Sequence, residues 1–349
     1  MAVIAKSSKV LVTGANGFVA IWLVRSLLEQ GFSVRGAVRS ADKGVYLTNM
    51  FKPYGDKFGL AVVGDITKVG AFDEAVKGVD AIVHCATPVT FDADEPKDII
   101  DPAVNGTLGI LTSAKHAPQL KRITILGSIA NIIHEDEKPL VFNENDWNDQ
   151  ALQAVEVFGR KAPGVAKYAA SKILAEKAAW KFHKDNKSQL SWDLVVIHPV
   201  IVLGPLLHDI SSPNELNISM KAWYDAVVHP KASTELGDTS WVDVRDMARA
   251  IIRSLEVKEA GGERIIVCGG ESDWQDWRNT ANSLSPSPIP SHAPGTEKAL
   301  PIGNPDATRD SVFKVRYDTS KAQRILGLTY RTKEETARDI LAEVERRGW

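Results

Sequence analysis

Short apolar runs alternate along this chain with longer stretches in which apolar residues recur every three or four positions. Lys9–Thr13 is such a run; a glycine-containing turn follows, then WLVRSLLEQ with helical spacing, Gly31 as a stop, and Ser33–Val38 as a second run. Short continuous runs bounded by turn residues read as strands and a 3.6-residue period reads as helix, so the opening predicts a βαβ unit. Similar runs recur at Leu60–Val63, Ala81–Cys85, Arg122–Leu126, Leu194–Ile197 and Arg264–Val267, mostly separated by helical patterns. Strands apolar on both faces belong to a parallel sheet covered on both sides, which predicts a doubly wound α/β fold. After Gly204 the pattern loosens: PLLHDISSPNELNISM is irregular, and Asn282–Ala307 holds six of the 17 prolines, which excludes sheet interior. The expected division is a larger α/β domain of residues 1–204 that also receives 241–268. A smaller substrate-binding lobe is then built from 205–240 and 269–349, with Asp318–Leu326 and Glu334–Arg346 as its last helices.

Composition narrows the classes of function. The 349 residues are 44% hydrophobic and 25% charged, enough for a large core. Lys and Arg number 42 against 44 Asp and Glu with no basic run, so neither nucleic acid nor an anionic membrane is an expected partner. A small molecule is. Cys85 and Cys268 are the only cysteines, too few for a disulfide framework and outside any metal-ligand spacing, so no metal is expected. The apolar letters at the amino terminus are broken by Lys9, Gly14, Asn16 and Gly17, unlike a signal peptide or membrane anchor, and a cytoplasmic location is expected. No oligomeric state follows from these patterns.

Between the first strand and first helix the chain reads TGANGFVA, with Gly14, Gly17 and Ala20 at the small positions. At a strand-to-helix junction such residues let backbone N–H groups, here those of Phe18 and Val19 among them, approach a pyrophosphate at the positive end of the helix dipole. That is the dinucleotide loop of a Rossmann-type domain. After the second strand the sequence VRGAVRSADK supplies Arg39, Ser40 and Lys43, and no carboxylate precedes Asp42. An acid there would bind the ribose hydroxyls of NAD, whereas a guanidinium pairs with a 2′-phosphate, so NADP(H) is the expected cofactor. The bland alternative leaves Arg39 and Lys43 as solvated surface charges. Asp65 and Ile66 in VVGDI are placed to meet the adenine, and Ala86, Thr87 and Pro88 of HCATP follow the fourth strand beside the cofactor.

The stretch AKYAASKILAEKAAWKF is helical, and Tyr168 and Lys172, four apart, share one face of it. Ser128 sits just past the fifth run in ITILGSIAN, at the carboxyl end of a strand, where ligands of α/β sheets bind. Together these residues suit carbonyl reduction. Hydride transfer builds negative charge on the carbonyl oxygen, a phenol can protonate it, and a neighbouring ammonium lowers a phenol pKa that is ordinarily about 10. The Ser128 hydroxyl would donate to the same developing oxyanion.

TGANGFVA, HCATPV, DPAVNGTLGIL, FNENDW, YAASK, HPVIVLGP and WVDVRDMA, in this order, resemble the extended short-chain dehydrogenase/reductase family. Within it the chain is similar to the branch of fungal carbonyl and aldehyde reductases, plant dihydroflavonol reductases and cinnamoyl-CoA reductases. The resemblance implies Ser128, Tyr168 and Lys172 as catalytic residues, Asn105 as a support of the lysine through water, and hydride delivery from the B face of a nicotinamide. It also implies a cofactor wall running from Pro199 through Val202 to Gly204.

Two departures stand out. LGS replaces the usual TSS, leaving an unfilled spot at Gly127, and VAKYAASK replaces the NWYCYGK of plant cinnamoyl-CoA reductases. A free aldehyde or ketone is therefore the expected substrate, in a pocket bordered by Trp223, Met220 and Leu206, with Lys221 and Lys231 as the cations nearby. Trp22, Trp180 and Trp241 are expected to pack, His84 and His198 to be satisfied core histidines, and the HEDEK stretch at His134–Lys138 to be a solvated loop. Competing readings are a cinnamoyl-CoA or dihydroflavonol-type reductase, a sugar-nucleotide epimerase or dehydratase, which Arg39 opposes, and a non-catalytic NADP sensor, which the Tyr168/Lys172 pair opposes.

Overall fold

All seven apolar runs of the sequence lie side by side in one sheet of the computed structural model, which describes residues 2–87, 89–229, 237–308 and 313–349. Pro88 and Lys231 lie outside the described residues. In chain order the elements are β1 (Lys9–Thr13), α1 (Phe18–Glu29), β2 (Ser33–Val38), α2 (Ala41–Phe51), β3 (Phe58–Val62), β4 (Ala81–His84), α3 (Lys97–Ala114), β5 (Arg122–Leu126), β6 (Leu140–Phe142), α4 (Asp149–Phe158), α5 (Gly164–Asn186), β7 (Asp193–Pro199), β8 (Ile201–Leu203), α6 (Ile218–Val227), β9 (Asp238–Asp243), α7 (Val244–Glu256), β10 (Arg264–Val267), β11 (Gly270–Asp273), α8 (Trp274–Ser283), β12 (Val315–Tyr317), α9 (Ser320–Leu326) and α10 (Lys333–Arg347).

The large sheet is parallel throughout, in the order β3-β2-β1-β4-β5-β7-β10. Chain order reverses between β1 and β4, and in such sheets the crevice beyond the strand ends at the reversal is where ligands sit. Successive strand side chains point to opposite faces, and the core divides accordingly. Val10 and Val12 join a cluster with α1 and α7 on one face, while Leu11 between them joins a cluster with Ile110, Leu111 and Phe72 on the other. There α3 and α5 pack on each other.

The smaller lobe is less separate than its irregular sequence predicts. Its interior, including Trp223, Trp277 and Ile340, is continuous with the α1/α7 cluster, and α9 packs against β10 and α7 of the sheet domain. Two minor sheets, β11-β9-β8 and β12-β6, stitch the late segments to earlier ones. The pocket expected from Trp223, Met220 and Leu206 is not there. These side chains are 0%, 1% and 5% exposed, and Trp223 sets its edge against Trp277, which does the same with Trp241. Large apolar side chains without a helical or strand period in their surroundings looked like pocket lining, but they fill the lobe's own core. No helix among the described residues is long and apolar enough to cross a membrane.

Candidate active site

The ends of β1 and β4 are joined by one hydroxyl. Thr13 Oγ1 accepts from the N–H groups of Cys85 and Ala86, both at 3.1 Å, and hydrogen-bonds His84 Nδ1 at 2.9 Å. Gly14 follows with φ +63°, and a Cβ on it would lie 3.1 Å from the Ala86 Cα. A left-handed backbone in close approach to a second chain segment admits glycine at little cost. The glycine loop and Ala86 therefore meet at the ends of β1 and β4. Gly17 caps α1 in extended conformation, and the first-turn N–H groups of a helix, here those of Phe18 and Val19, lack intrahelical acceptors. The Phe18 ring itself is buried against His208.

Arg39 is exposed one residue past β2, and Lys43 is exposed in the first turn of α2. Asp65 is exposed beyond β3, and hydrogen bonds from the Thr67 N–H (3.0 Å) and hydroxyl (2.8 Å) hold its carboxyl below the usual range, with smaller help from Lys68 and Arg39. Ile66 points elsewhere. Its Cδ1 lies only 2.8 Å from where a Cβ on Gly106 would be, so the side chain packs on α3. Pro199 closes β7, whereas Val202 is buried in β8 with its carbonyl accepting from the Ser219 hydroxyl at 2.7 Å. These residues fit a pyrophosphate at the glycine loop and a phosphorylated ribose at the exposed cations.

Ser128 leaves the carboxyl end of β5. Its Oγ accepts from the Ala130 N–H at 3.2 Å and lies near enough to the Tyr168 phenol to act on its acidity. Burial raises the Tyr168 pKa, and the Ser128 bond opposes that rise. One turn on, burial pulls the Lys172 ammonium down to about 8, against Glu176, and its Nζ donates to the Leu126 carbonyl at 2.9 Å. The expected lowering of the phenol by Lys172 does not appear here. The lysine is committed to a backbone carbonyl, and the phenol is held in its acid form.

The amino end of α5 is fastened to the segment after β4. A Cβ at Gly164 would overlap the Phe91 carbonyl oxygen at 1.9 Å, and the Phe91 ring stands edge-on to Tyr168 at 5.4 Å. Buried Lys167 donates to the carbonyls of Ala93 (2.9 Å), Asp94 (2.7 Å) and Arg160 (2.7 Å). Along the other flank of α5 a cavity of about 720 Å³ opens, with Ile133, Phe142, Ala151, Val165 and Ala166 among its apolar walls. The His134–Lys138 stretch is an exposed loop, as expected, and contributes to the rim of this cavity.

Asn105 is corrected. It is exposed on α3, and the α3 side chain beside Lys172 is buried Thr107; two residues apart on a helix means about 200° apart around it. Thr107, His84, Asn131 and Lys172 border a cavity of about 20 Å³, room for about one water. The asparagine near the lysine is therefore Asn131, whose Nδ2 donates to the Lys172 carbonyl at 3.4 Å. Its signal was in plain view, three residues after Ser128.

The spot at Gly127 is also filled. A Cβ there would lie 2.9 Å from His198 Nδ1, so the glycine makes room for the imidazole. His198 Nδ1 lies 2.9 Å from the Ser128 carbonyl oxygen and Nε2 lies 3.2 Å from Glu176 Oε1, so this histidine is satisfied as expected. Burial pushes the Glu176 carboxyl up, but His198 and Arg264 outweigh it and hold the group well below the usual range. His84 differs: its Nε2 has no partner, and burial, then Lys172, lowers its pKa to about 3. Glu176 and Arg264 went unremarked in the sequence, although Glu176 continues the Tyr168–Lys172 stripe by one more turn.

With this geometry in hand, the comparisons with known proteins decide the family. The pattern of the NAD dependent epimerase/dehydratase family matches residues 10–269. The chain belongs to that family. Among members of the NAD dependent epimerase/dehydratase family it is similar to the NADPH-dependent methylglyoxal reductase GRE2 of Saccharomyces cerevisiae, 31% identical over 96% of this chain and 97% of the relative. It is also 35% identical to cinnamoyl-CoA reductase CAD2 of Medicago truncatula, over 74% of this chain and 75% of that one. The crystal structure of yeast methylglyoxal/isovaleraldehyde reductase Gre2 complexed with NADPH superposes with a TM-score of 0.86 at 30% identity, covering 97% of this chain and 99% of the other. The family's seven-stranded Rossmann-type fold is thus the fold of this chain.

Proposed function

We infer that this chain is an NADPH-dependent carbonyl reductase that converts aldehydes or ketones to alcohols. The observation that carries the reading is the meeting of the Ser128 hydroxyl with the Tyr168 phenol, one helical turn from a buried lysine. The pair stands at the end of the same sheet whose β1 and β4 ends bring the glycine loop against Ala86. The likeness to an NADPH-dependent reductase over nearly the whole chain supports it, as does Arg39, rather than an acid, after β2.

NADPH, when bound, supplies the hydride. The first-turn N–H groups of Phe18 and Val19 would meet its pyrophosphate, and Arg39 and Lys43 would pair with the 2′-phosphate by charge-assisted contacts. Ser128 donates a hydrogen bond to the carbonyl oxygen of the substrate, and Tyr168, kept protonated by burial, gives that oxygen its proton as charge develops. Lys172, one of whose Nζ donors is taken by the Leu126 carbonyl, would hold the nicotinamide ribose through its remaining donors.

The similarity to a cinnamoyl-CoA reductase favours a second reading, in which a CoA thioester is the substrate. Lys221, the described cation of the smaller lobe nearest the expected pocket, is paired with Asp225 and offers little to a polyphosphate. Following NADPH oxidation with methylglyoxal, a benzaldehyde and a keto ester against hydroxycinnamoyl-CoA tests the choice. A higher kcat/KM for a free carbonyl compound is expected; a higher value for the thioester would replace this reading with the second.

A further inference from the structure

The charged groups behind Ser128 form one connected set that the reaction itself does not use. Glu176 is 2% exposed and its carboxylate is fully engaged: Oε1 accepts from Arg264 Nε (2.8 Å), Trp180 Nε1 (3.0 Å) and His198 Nε2 (3.2 Å), and Oε2 accepts from Asn131 Nδ2 (2.6 Å). His198 is 0% exposed, and its other nitrogen meets the Ser128 carbonyl oxygen at 2.9 Å. A carboxylate and a carbonyl can only accept hydrogen bonds. Only an imidazole that donates from both ring nitrogens satisfies both acceptors. Arg264 extends the set outward, donating to the Glu144 and Asp146 carbonyls and lying 3.8 Å over the Trp147 ring. The FNENDW motif, which the proposed chemistry leaves without a role, is the outer anchor.

We propose that Glu176 and His198 are positioning residues that fix the Ser128 hydroxyl for the carbonyl oxygen, the imidazolium gripping the serine's own carbonyl and Glu176 keeping it charged. The serine has few other restraints. Its carbonyl also accepts from the Asn131 N–H at 3.1 Å and its Oγ from Ala130, both within the same short turn, and that turn is held from below by Asn131 Nδ2 on Glu176. The His198 ring and the Asn131 amide, which hold this turn from β7 and from within, thus meet at one carboxylate. Gly127 belongs to the device, since any side chain there would strike the imidazole. A buried ion pair of this kind is poor value as a stability element; a geometric role for it accounts for three charged side chains gathered behind one hydroxyl. The proposal rests on Ser128 being the group that meets the substrate's carbonyl.

The test is a pair of cycles, H198Q and E176Q, each made alone and together with Ser128→Ala, in the full-length protein with NADPH. Displacing a reacting group by a fraction of its contact distance costs about 10²-fold in rate, so each variant should lower kcat by about that factor while KM for NADPH changes by no more than about twofold. In the Ser128→Ala background neither should cost more than about a further twofold, because the hydroxyl they position is gone. Equal losses in both backgrounds would overturn the proposal while leaving Ser128 catalytic. Full activity in Ser128→Ala alone would instead sink the reading of Ser128, and the proposal with it. Ring-nitrogen NMR of histidine-labelled protein near neutral pH, with the His198 signal identified by its loss in H198Q, should show both nitrogens protonated; a neutral ring overturns the network independently of turnover. Should H198Q or E176Q melt out of the folded state, Arg264→Lys, which keeps the charge but loses the forked contact, should show the same dependence on Ser128 at smaller amplitude, and an amplitude independent of Ser128 counts against the proposal.

Discussion

The two ends of the cofactor crevice are built on opposite principles. At the Ser128–Tyr168–Lys172 end, side chains emerge from a sheet and a long helix and stand on a buried charge network, Lys172 buried and the other two half-buried. At the Arg39–Lys43–Asp65 end, the charged groups are exposed and held by little more than a turn. Chemistry needs donors fixed before the reaction begins, because reorganising them during it would raise the barrier. Choice between two cofactors needs only a charge of the right sign within reach. The first end should therefore be brittle towards substitution and the second tolerant.

The largest effect should come from Tyr168→Phe. Removing the phenolic proton while keeping the ring against Phe91 should lower kcat by about 10²–10⁴-fold, as expected of a lost general acid, with NADPH binding measured by fluorescence unchanged. Retained turnover would mean that another group delivers the proton. Next comes pH. Burial draws Lys172 down to about 8, so below that value it is a cation able to hold the ribose and above it the charge is lost. The kcat/KM for NADPH should be level below pH 8 and fall by about tenfold per unit above, and Lys172→Ala should flatten the profile at its low limb. A wild-type profile level to pH 10 would break the contrast between the two ends.

Smaller still is Arg39→Ala. A charge-assisted contact is worth about 1.5–3 kcal/mol, but solvent around an exposed guanidinium favours the lower figure, so NADPH use should weaken by about tenfold and NADH use should hardly change. Equal losses with both cofactors would remove Arg39 from the 2′-phosphate. Last is Asn105→Ala, for which kcat should stay within about twofold of the parent, the range of a surface substitution away from any site. A loss as large as that of Lys172→Ala would show that the outward face of α3 reaches the lysine after all.

Legibility in the sequence followed the same divide. The inner strands of the large sheet were readable because burial on both faces forces an apolar run, and the boundaries of β1, β2, β5 and β10 are those the letters predict, whereas the half-exposed edge strand β3 begins two residues before the expected Leu60. Tyr168 and Lys172 were readable because helix geometry makes spacing into proximity. The network below them was not. Glu176, His198 and Arg264 come from α5, β7 and β10, and their meeting depends on strand order rather than on any local period. Asn105 was misplaced because a motif fixes a residue on a helix without fixing which way that helix is turned. Trp223, Met220 and Leu206 were misplaced for a related reason: in irregular sequence an apolar letter does not say whether it faces a ligand or its own lobe.

The three carbonyls gathered by Lys167 carry a consequence for the protein's motions. Because that ammonium joins the Phe91–Asp94 segment to the first turn of α5, the roof over the phenol and the phenol itself travel as one mechanical part. A substrate too bulky for the gap cannot be admitted by swinging the roof aside without dragging the acid from its post. Breadth of substrate is then governed by what is trimmed from the Phe91 ring, and loosening the clamp with Lys167→Met should cost turnover before it widens choice.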